Sequence, residues 1–154
     1  MSEIIKHRGV VSYVLKDSEG VVKETREIEN LVVSTGKAGM AGLLVGTGGV
    51  SAFEYIALGT GTTTPEAGDS ALEAEITSGG AGRALATASR VTTGVTDDTS
   101  QLEVTFNFTD SHAITESGVL NASSSGVLLA RQVFSVLNVS NGDELTVRWR
   151  IQHS

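Results

Sequence analysis

Three features of the 154-residue sequence predict a mainly β fold, a single-domain antiparallel β-sandwich with one or two short helices. Apolar and polar residues alternate with period two in several short runs, as in strands that rest one face on a core. Clusters of Gly, Ser, Asn and Asp separate those runs, and these are the residues that tight turns demand. Glycine is abundant and proline is single, with 18 Gly against 1 Pro, which argues against a helical bundle rich in Glu, Lys and Leu. The length suits one core, and no linker or internal repeat divides the chain. Residues 1–154 therefore read as one domain, with 1–8 as a candidate N-terminal arm.

GVVSYVL (Gly9 to Leu15) and VVKETREIE (Val21 to Glu29) flank DSEG and predict a hairpin. After NLVV, the stretch STGKAGMAGLLVG predicts a short buried helix. Ser34 and Thr35 can cap it, and Met40, Leu43 and Leu44 fall at helical spacing. Gly36, Gly39 and Gly42 weaken such a helix by about 1 kcal/mol each relative to Ala, unless close packing requires them. FEYIAL (Phe53 to Leu58) predicts a strand entering the loop LGTGTTTPEAGDS. Ser70 and Glu73 fit the capping box S-x-x-E ahead of ALEAEI, a second helical candidate. RALATASRVTT and QLEVTFNFT predict strands, the latter with Leu102, Val104, Phe106 and Phe108 on one face and Thr105 and Asn107 on the other. AITESGVLNASSSGVLLARQVFSVLNV supplies two strands around NASSSG. In DELTVRWRIQ, Leu145, Val147, Trp149 and Ile151 alternate with Thr146, Arg148, Arg150 and Gln152, the cleanest strand pattern of the chain. Seven or eight strands result.

Charge and composition narrow the function. A net charge of -7, from 11 basic and 18 acidic residues, argues against a nucleic-acid partner, because phosphate neutralisation needs a basic surface. Cysteine is absent, which removes disulfides and thiolate metal sites. MSEIIKHRGVV lacks the apolar core of a secretory signal, and no run approaches the about 18 apolar residues of a membrane span. The expectation is a soluble chain made in the cytoplasm, with no membrane partner.

The loop at Gly59-Thr60-Gly61 invites a test for phosphate binding. The sole Gly-Lys pair, Gly36-Lys37, has Leu31 where a P-loop needs glycine and Ala38 where it needs Ser or Thr. Thr64 stands at the third glycine of G-x-G-x-x-G. The loop reads instead as a strand-ending turn in which Gly59 and Gly61 adopt backbone conformations closed to other residues. Glu66, Asp69, Glu73 and Glu75 cluster beside it, and capping and the helix dipole account for them better than acid–base or calcium chemistry, neither of which the pattern specifies. Asp97-Asp98 reads as a turn. His7, His112 and His153 have no metal-ligand spacing, and G-x-S-x-G is absent. No cofactor, no metal and no enzymatic activity are expected; a hydrolase would need a cleft gathering His112, Glu116 and a serine. Arg148 and Arg150 share the polar face of the last strand and can pair with Glu103 across the sheet or meet a neighbouring subunit.

The order of segments carries more than any single motif. NLVVSTGKAGMAGLL, YIALGTGTTTPEAGDSALEAEI, TFNFTDSHAITESGVLNASSSGVLLARQVFS and GDELTVRWRIQ, together spanning Asn30 to Gln152, resemble small virion structural proteins of tailed bacteriophages. In such proteins an I-A-L-G-x-G turn precedes a loop with D-x-x-L-x-x-E, here Asp69, Leu72 and Glu75. An I-T-E-x-G-V-L-N segment opens a hairpin, here Ile114, Thr115, Glu116, Gly118, Leu120 and Asn121. The resemblance implies a β-rich building block of the virion, a capsid cement or decoration protein. It would be a homo-oligomer or bind the major capsid protein or other virion subunits. A tail or tail-fibre component, or a glycan- or receptor-binding module, is the alternative, the last marked by exposed aromatic residues. Arg83, Arg131, Arg148 and Arg150, with Glu66 and Asp69 in a surface loop, are the candidate assembly contacts on charge and position.

Overall fold

The computed structural model describes residues 6–154. Its elements are β1 (His7–Lys16), β2 (Val22–Val32), α1 (Ser34–Val45), β3 (Tyr55–Gly59), β4 (Ala84–Leu85), β5 (Thr87–Val91), β6 (Thr99–Asn107), β7 (His112–Leu120), β8 (Leu128–Val139) and β9 (Glu144–His153). The ninth strand arises because Ala86 splits RALATASRVTT into β4 and β5.

The strands form one sheet in the order β4-β3-β7-β8-β2-β1-β9-β6-β5, and every pairing is antiparallel. The first part of β2 pairs with β1, but Leu31 and Val32 pair with β8, so the sheet turns over along β2. Its two halves then pack on one another: the Tyr13 and Phe134 rings lie 4.7 Å apart, and Trp149 Nε1 donates to Ser117 Oγ at 3.3 Å. β4 and β5 stand at opposite ends of the strand order yet are joined through Ala86 alone. Thus the two edges are drawn together and the sandwich nearly closes on itself, which leaves little unpaired edge for aggregation.

Side-chain alternation fills the interior as the sequence implies. Leu145, Val147, Trp149 and Ile151 of β9 are buried, as are Leu102, Phe106 and Phe108, with Val104 packed partly against them. At the β1–β2 turn, Asp17 Oδ1 accepts from the N–H groups of Glu19 and Val21 at 2.9 and 3.0 Å, and Gly20 takes φ +82°. Of the candidate arm, residues 1–5 lie outside the described residues. His7 and Arg8 belong to β1, opposite His153 and Gln152 of β9.

Two helical expectations need correction. Helix α1 forms, but Val33 is its N-cap and no side chain caps it; the Thr35 hydroxyl donates instead to the Leu128 carbonyl at 2.9 Å. The helix packs through its small residues as expected, with Met40 resting partly on the core, but Leu43 and Leu44 do not join that face. Gly36 and Gly39 are buried, whereas Leu44 is 86 % exposed and Leu43 and Val45 are exposed beside it. A Cβ at Gly36 would collide with the Leu129 carbonyl, and one at Gly39 would lie 2.7 Å from Phe53 Cζ. Close approach to β8 needs Gly36 and close approach to Phe53 needs Gly39, and packing on that side leaves the leucines outside. The second candidate, ALEAEI, is not helical: residues 71–76 form a bent, irregular segment in which Glu75 bridges Gly59.

Candidate functional site

What holds residues 71–76 in place is a carboxylate from another strand. Glu116 of β7 is fully buried, and its two oxygens accept from the N–H groups of Gly61 (3.1 Å), Glu73 (3.1 Å) and Ala74 (2.7 Å) and from Arg131 Nε (2.8 Å). Buried backbone N–H groups need acceptors, and the Glu116 carboxylate supplies one to each of these three, so the loop satisfies them without a helix. Arg131 of β8 stands opposite Gly118 in the same sheet and is 2 % exposed. Its other nitrogens reach Asp69 at 2.9 Å and Glu73 at 3.4 Å. Burial alone would lower the Arg131 pKa, but the hydrogen bonds to Glu116 and Asp69 outweigh it and hold the guanidinium above its ordinary value. Glu73 completes the clasp by accepting from Thr63 N–H at 2.8 Å, and Thr63 holds its carboxyl below the usual range.

Most matched positions of the loop and hairpin motifs have a physical task in or beside this clasp. Asp69 pairs with Arg131. Leu72 is buried with Val33, Ala57, Leu120 and Leu128 in a small second core on the outer side of the sheet, and a Cβ on Gly118 would lie 2.5 Å from its Cδ1. Glu75 meets Arg83 through both oxygens, at 2.6 and 3.0 Å. Thr115 donates to the Gly61 carbonyl at 2.7 Å, and Asn121 Oδ1 accepts from Val127 N–H at 2.7 Å to close the β7–β8 turn. Gly59 and Gly61 do not take positive φ, contrary to the sequence reading. They are needed for room, because a Cβ on Gly61 would lie 2.6 Å from both Glu116 Oε1 and Glu73 Cβ, and one on Gly59 would collide with Glu116. The loop thus lies against the outer face of β3 and β7, and Ser34 N–H donates to Ala67 O at 2.8 Å to tie it to the start of α1.

The proposed contact residues divide into two groups. Arg83 and Arg131 are held inside the chain; Arg83 donates also to the carbonyls of Ala122 and Ser125, at 2.8 Å each. Asp69 is committed to Arg131 and, through Oδ2, to Glu66 N–H at 3.0 Å, while Glu66 itself stays exposed. Arg148 and Arg150 lie instead on the open face of β9, directly opposite Glu103 and Gln101 of β6, and bond to them at 2.6 and 2.8 Å. Glu66, Arg148 and Arg150 are therefore the members of the set that reach the surface.

A second feature is an open apolar cleft of about 700 Å³ between α1 and strands β5, β6 and β9, lined by Met40, Leu43, Leu44, Phe53, Leu102 and Trp149 among others. His7 and His153 stand at it, with Nδ1 atoms 3.1 Å apart. Sequence spacing hid this pair, since 146 residues separate them. His112 lies elsewhere, with Nε2 3.4 Å from the Gly79 carbonyl, and shares no hydrogen-bond partner with Glu116. All seven aromatic residues are buried or half-buried, Tyr13 fully in the core and Phe53 in the cleft. No described helix is long and apolar enough to cross a membrane. No family model, curated protein or solved structure matches the chain.

Proposed function

We propose that the chain is a non-enzymatic structural protein of a tailed-phage virion, a capsid cement or decoration protein that works by adhesion between neighbouring subunits. One observation carries this reading: the loop and hairpin stretches behind the resemblance meet at the buried Glu116–Arg131 pair, where the carboxylates of Asp69, Glu73 and Glu116 hold backbone or arginine, and Glu75 beside them holds Arg83. Groups so committed fix a loop rather than transform a substrate. A rigid sandwich carrying a pinned loop is what adhesion requires, since docking then orders little new chain. Its sticking surface is the exposed Leu43-Leu44-Val45 end of α1 with the cleft beside it, an apolar area of the kind that marks protein contacts. Repetition over a lattice multiplies contacts that are weak singly.

Labelling of purified virions with an antibody against this chain, read by electron microscopy, tests the proposal. Signal distributed over the shell is expected. Signal confined to the tail replaces the cement reading with the tail-component one, and absence from particles removes both.

A further inference from the structure

The geometry of His7 and His153 points to a divalent transition-metal site at the β1–β9 end of the cleft, formed by the two Nδ1 atoms, with Zn²⁺, Ni²⁺ or Cu²⁺ as the ion class. The two residues are direct partners in the β1–β9 register, so the sheet itself sets their spacing. Two imidazole nitrogens each about 2.0–2.1 Å from one ion, and subtending about 90–109° there, lie roughly 2.9–3.4 Å apart. The observed Nδ1–Nδ1 separation of 3.1 Å falls inside that interval, with the ring planes at 80°.

A second contact supports ligation over a chance meeting of rings. Ser100 Oγ of β6 lies 3.0 Å from His153 Nε2. With the Nε2 proton donated to that hydroxyl, the Nδ1 lone pair faces His7, and an outer hydrogen bond on the far nitrogen is the usual companion of a metal-bound histidine. In the ion-free chain one imidazole donates its Nδ1 proton to the other. Moving that proton to Nε2 of the same ring frees both lone pairs for the ion. Among the described residues no third His, Cys, Asp or Glu joins the pair, so water or a group from a docked molecule would fill the remaining positions. This inference rests on the histidine geometry alone and is independent of the virion reading.

The test is titration of the full chain, carrying no histidine tag, with Zn²⁺ alone by calorimetry, and with Cu²⁺ alone by electron paramagnetic resonance. Saturable uptake of one ion per chain is expected, with hyperfine structure from two nitrogens. His7→Ala and His153→Ala should each abolish the saturable phase, and Ser100→Ala should weaken it by about 10-fold, the lower end for a lost outer hydrogen bond. His112→Ala should leave it unchanged. Circular dichroism and metal-free melting identify any variant that fails to fold, and His7→Gln and His153→Gln replace such a variant. No uptake by the wild type, or uptake that survives loss of either His7 or His153, overturns the inference.

Discussion

Removing the Glu116 carboxylate tests the clasp at its centre. In Glu116→Met, the N–H groups of Gly61, Glu73 and Ala74 lose their acceptor, and Arg131 keeps only Asp69 and the longer contact to Glu73. Breaking one side of a buried ion pair costs about 3–5 kcal/mol. Three orphaned donors at about 1–3 kcal/mol each would exceed that, but the loop can lift and hydrate them, so the pair figure sets the scale. At roughly 2–4 °C per kcal/mol for a chain of this size, a loss of about 4 kcal/mol lowers Tm by about 8–16 °C. Arg131→Met should cost about 3–5 kcal/mol as well, because it leaves a buried carboxylate without its countercharge. The double variant should cost less than the sum by at least about 2 kcal/mol, since neither charge is then stranded. The assay is urea unfolding of all four proteins, joined to digestion by a Glu-specific protease, which should cut after Glu66 faster in each single variant. Single costs below about 1 kcal/mol, or additivity within about 0.5 kcal/mol, would refute the reasoning.

Three further expectations follow from the same geometry. Gly61→Ala should destabilise by about 1–3 kcal/mol through overpacking against Glu116 and Glu73, whereas Gly68→Ala, with nothing within 4 Å of the new Cβ and no positive φ, should be neutral or raise stability by up to about 1 kcal/mol; thermal melts of the two compare steric need with chain entropy. Burial would raise the Asp143 pKa, but Lys23 at 2.9 Å and the Ser140 N–H outweigh it and hold the carboxyl below its ordinary value. Its stabilisation is therefore complete above the unfolded pKa of about 3.9 and disappears as pH falls through the folded value, so the Tm gap between wild type and Asp143→Asn should be widest near pH 7 and shrink below about pH 4. Arg148→Ala should cost no more than about 1 kcal/mol in urea unfolding, because the pair with Glu103 is well exposed; a larger loss would mean that this face is not open.

The strands were legible because one face of each meets a core and the other meets water: Leu145, Val147, Trp149 and Ile151 leave a period-two trace that local sequence preserves. That trace fails in β7, where the loop covers the outer face and every residue from Glu116 to Leu120 is buried. Glu116 itself looks like any polar strand residue, and nothing nearby announces that its acceptors serve residues 42 and 43 positions earlier. For the same reason ALEAEI reads as a capped turn. Its local signals are sound, but a long-range acceptor takes the Glu73 and Ala74 N–H groups without a helix. In α1 the glycines are visible in the sequence while the face they clear is not, because β8 and Phe53, distant in sequence or outside the helix, decide which side must be thin. Surface position was equally hidden for the arginines: Arg131 and Arg148 are both charged strand residues, yet the loop buries one and leaves the other in solvent.

The strand order also sets a timetable. β1 lies between β2 and β9, so one of its edges is satisfied by an adjacent hairpin partner and the other waits for a strand that begins at Glu144. Hairpins form in about 1–10 μs, but at about 5–20 residues per second the stretch from Lys16 to Glu144 takes a ribosome roughly 6–26 s to make. Throughout that interval the backbone of β1, with its run Val10, Val11, Tyr13, Val14 and Leu15, has a free row of donors and acceptors open to any other strand. A crowded cell making many copies at once would present many such edges together, so yield should fall with synthesis rate more steeply than the stability of the finished fold would suggest.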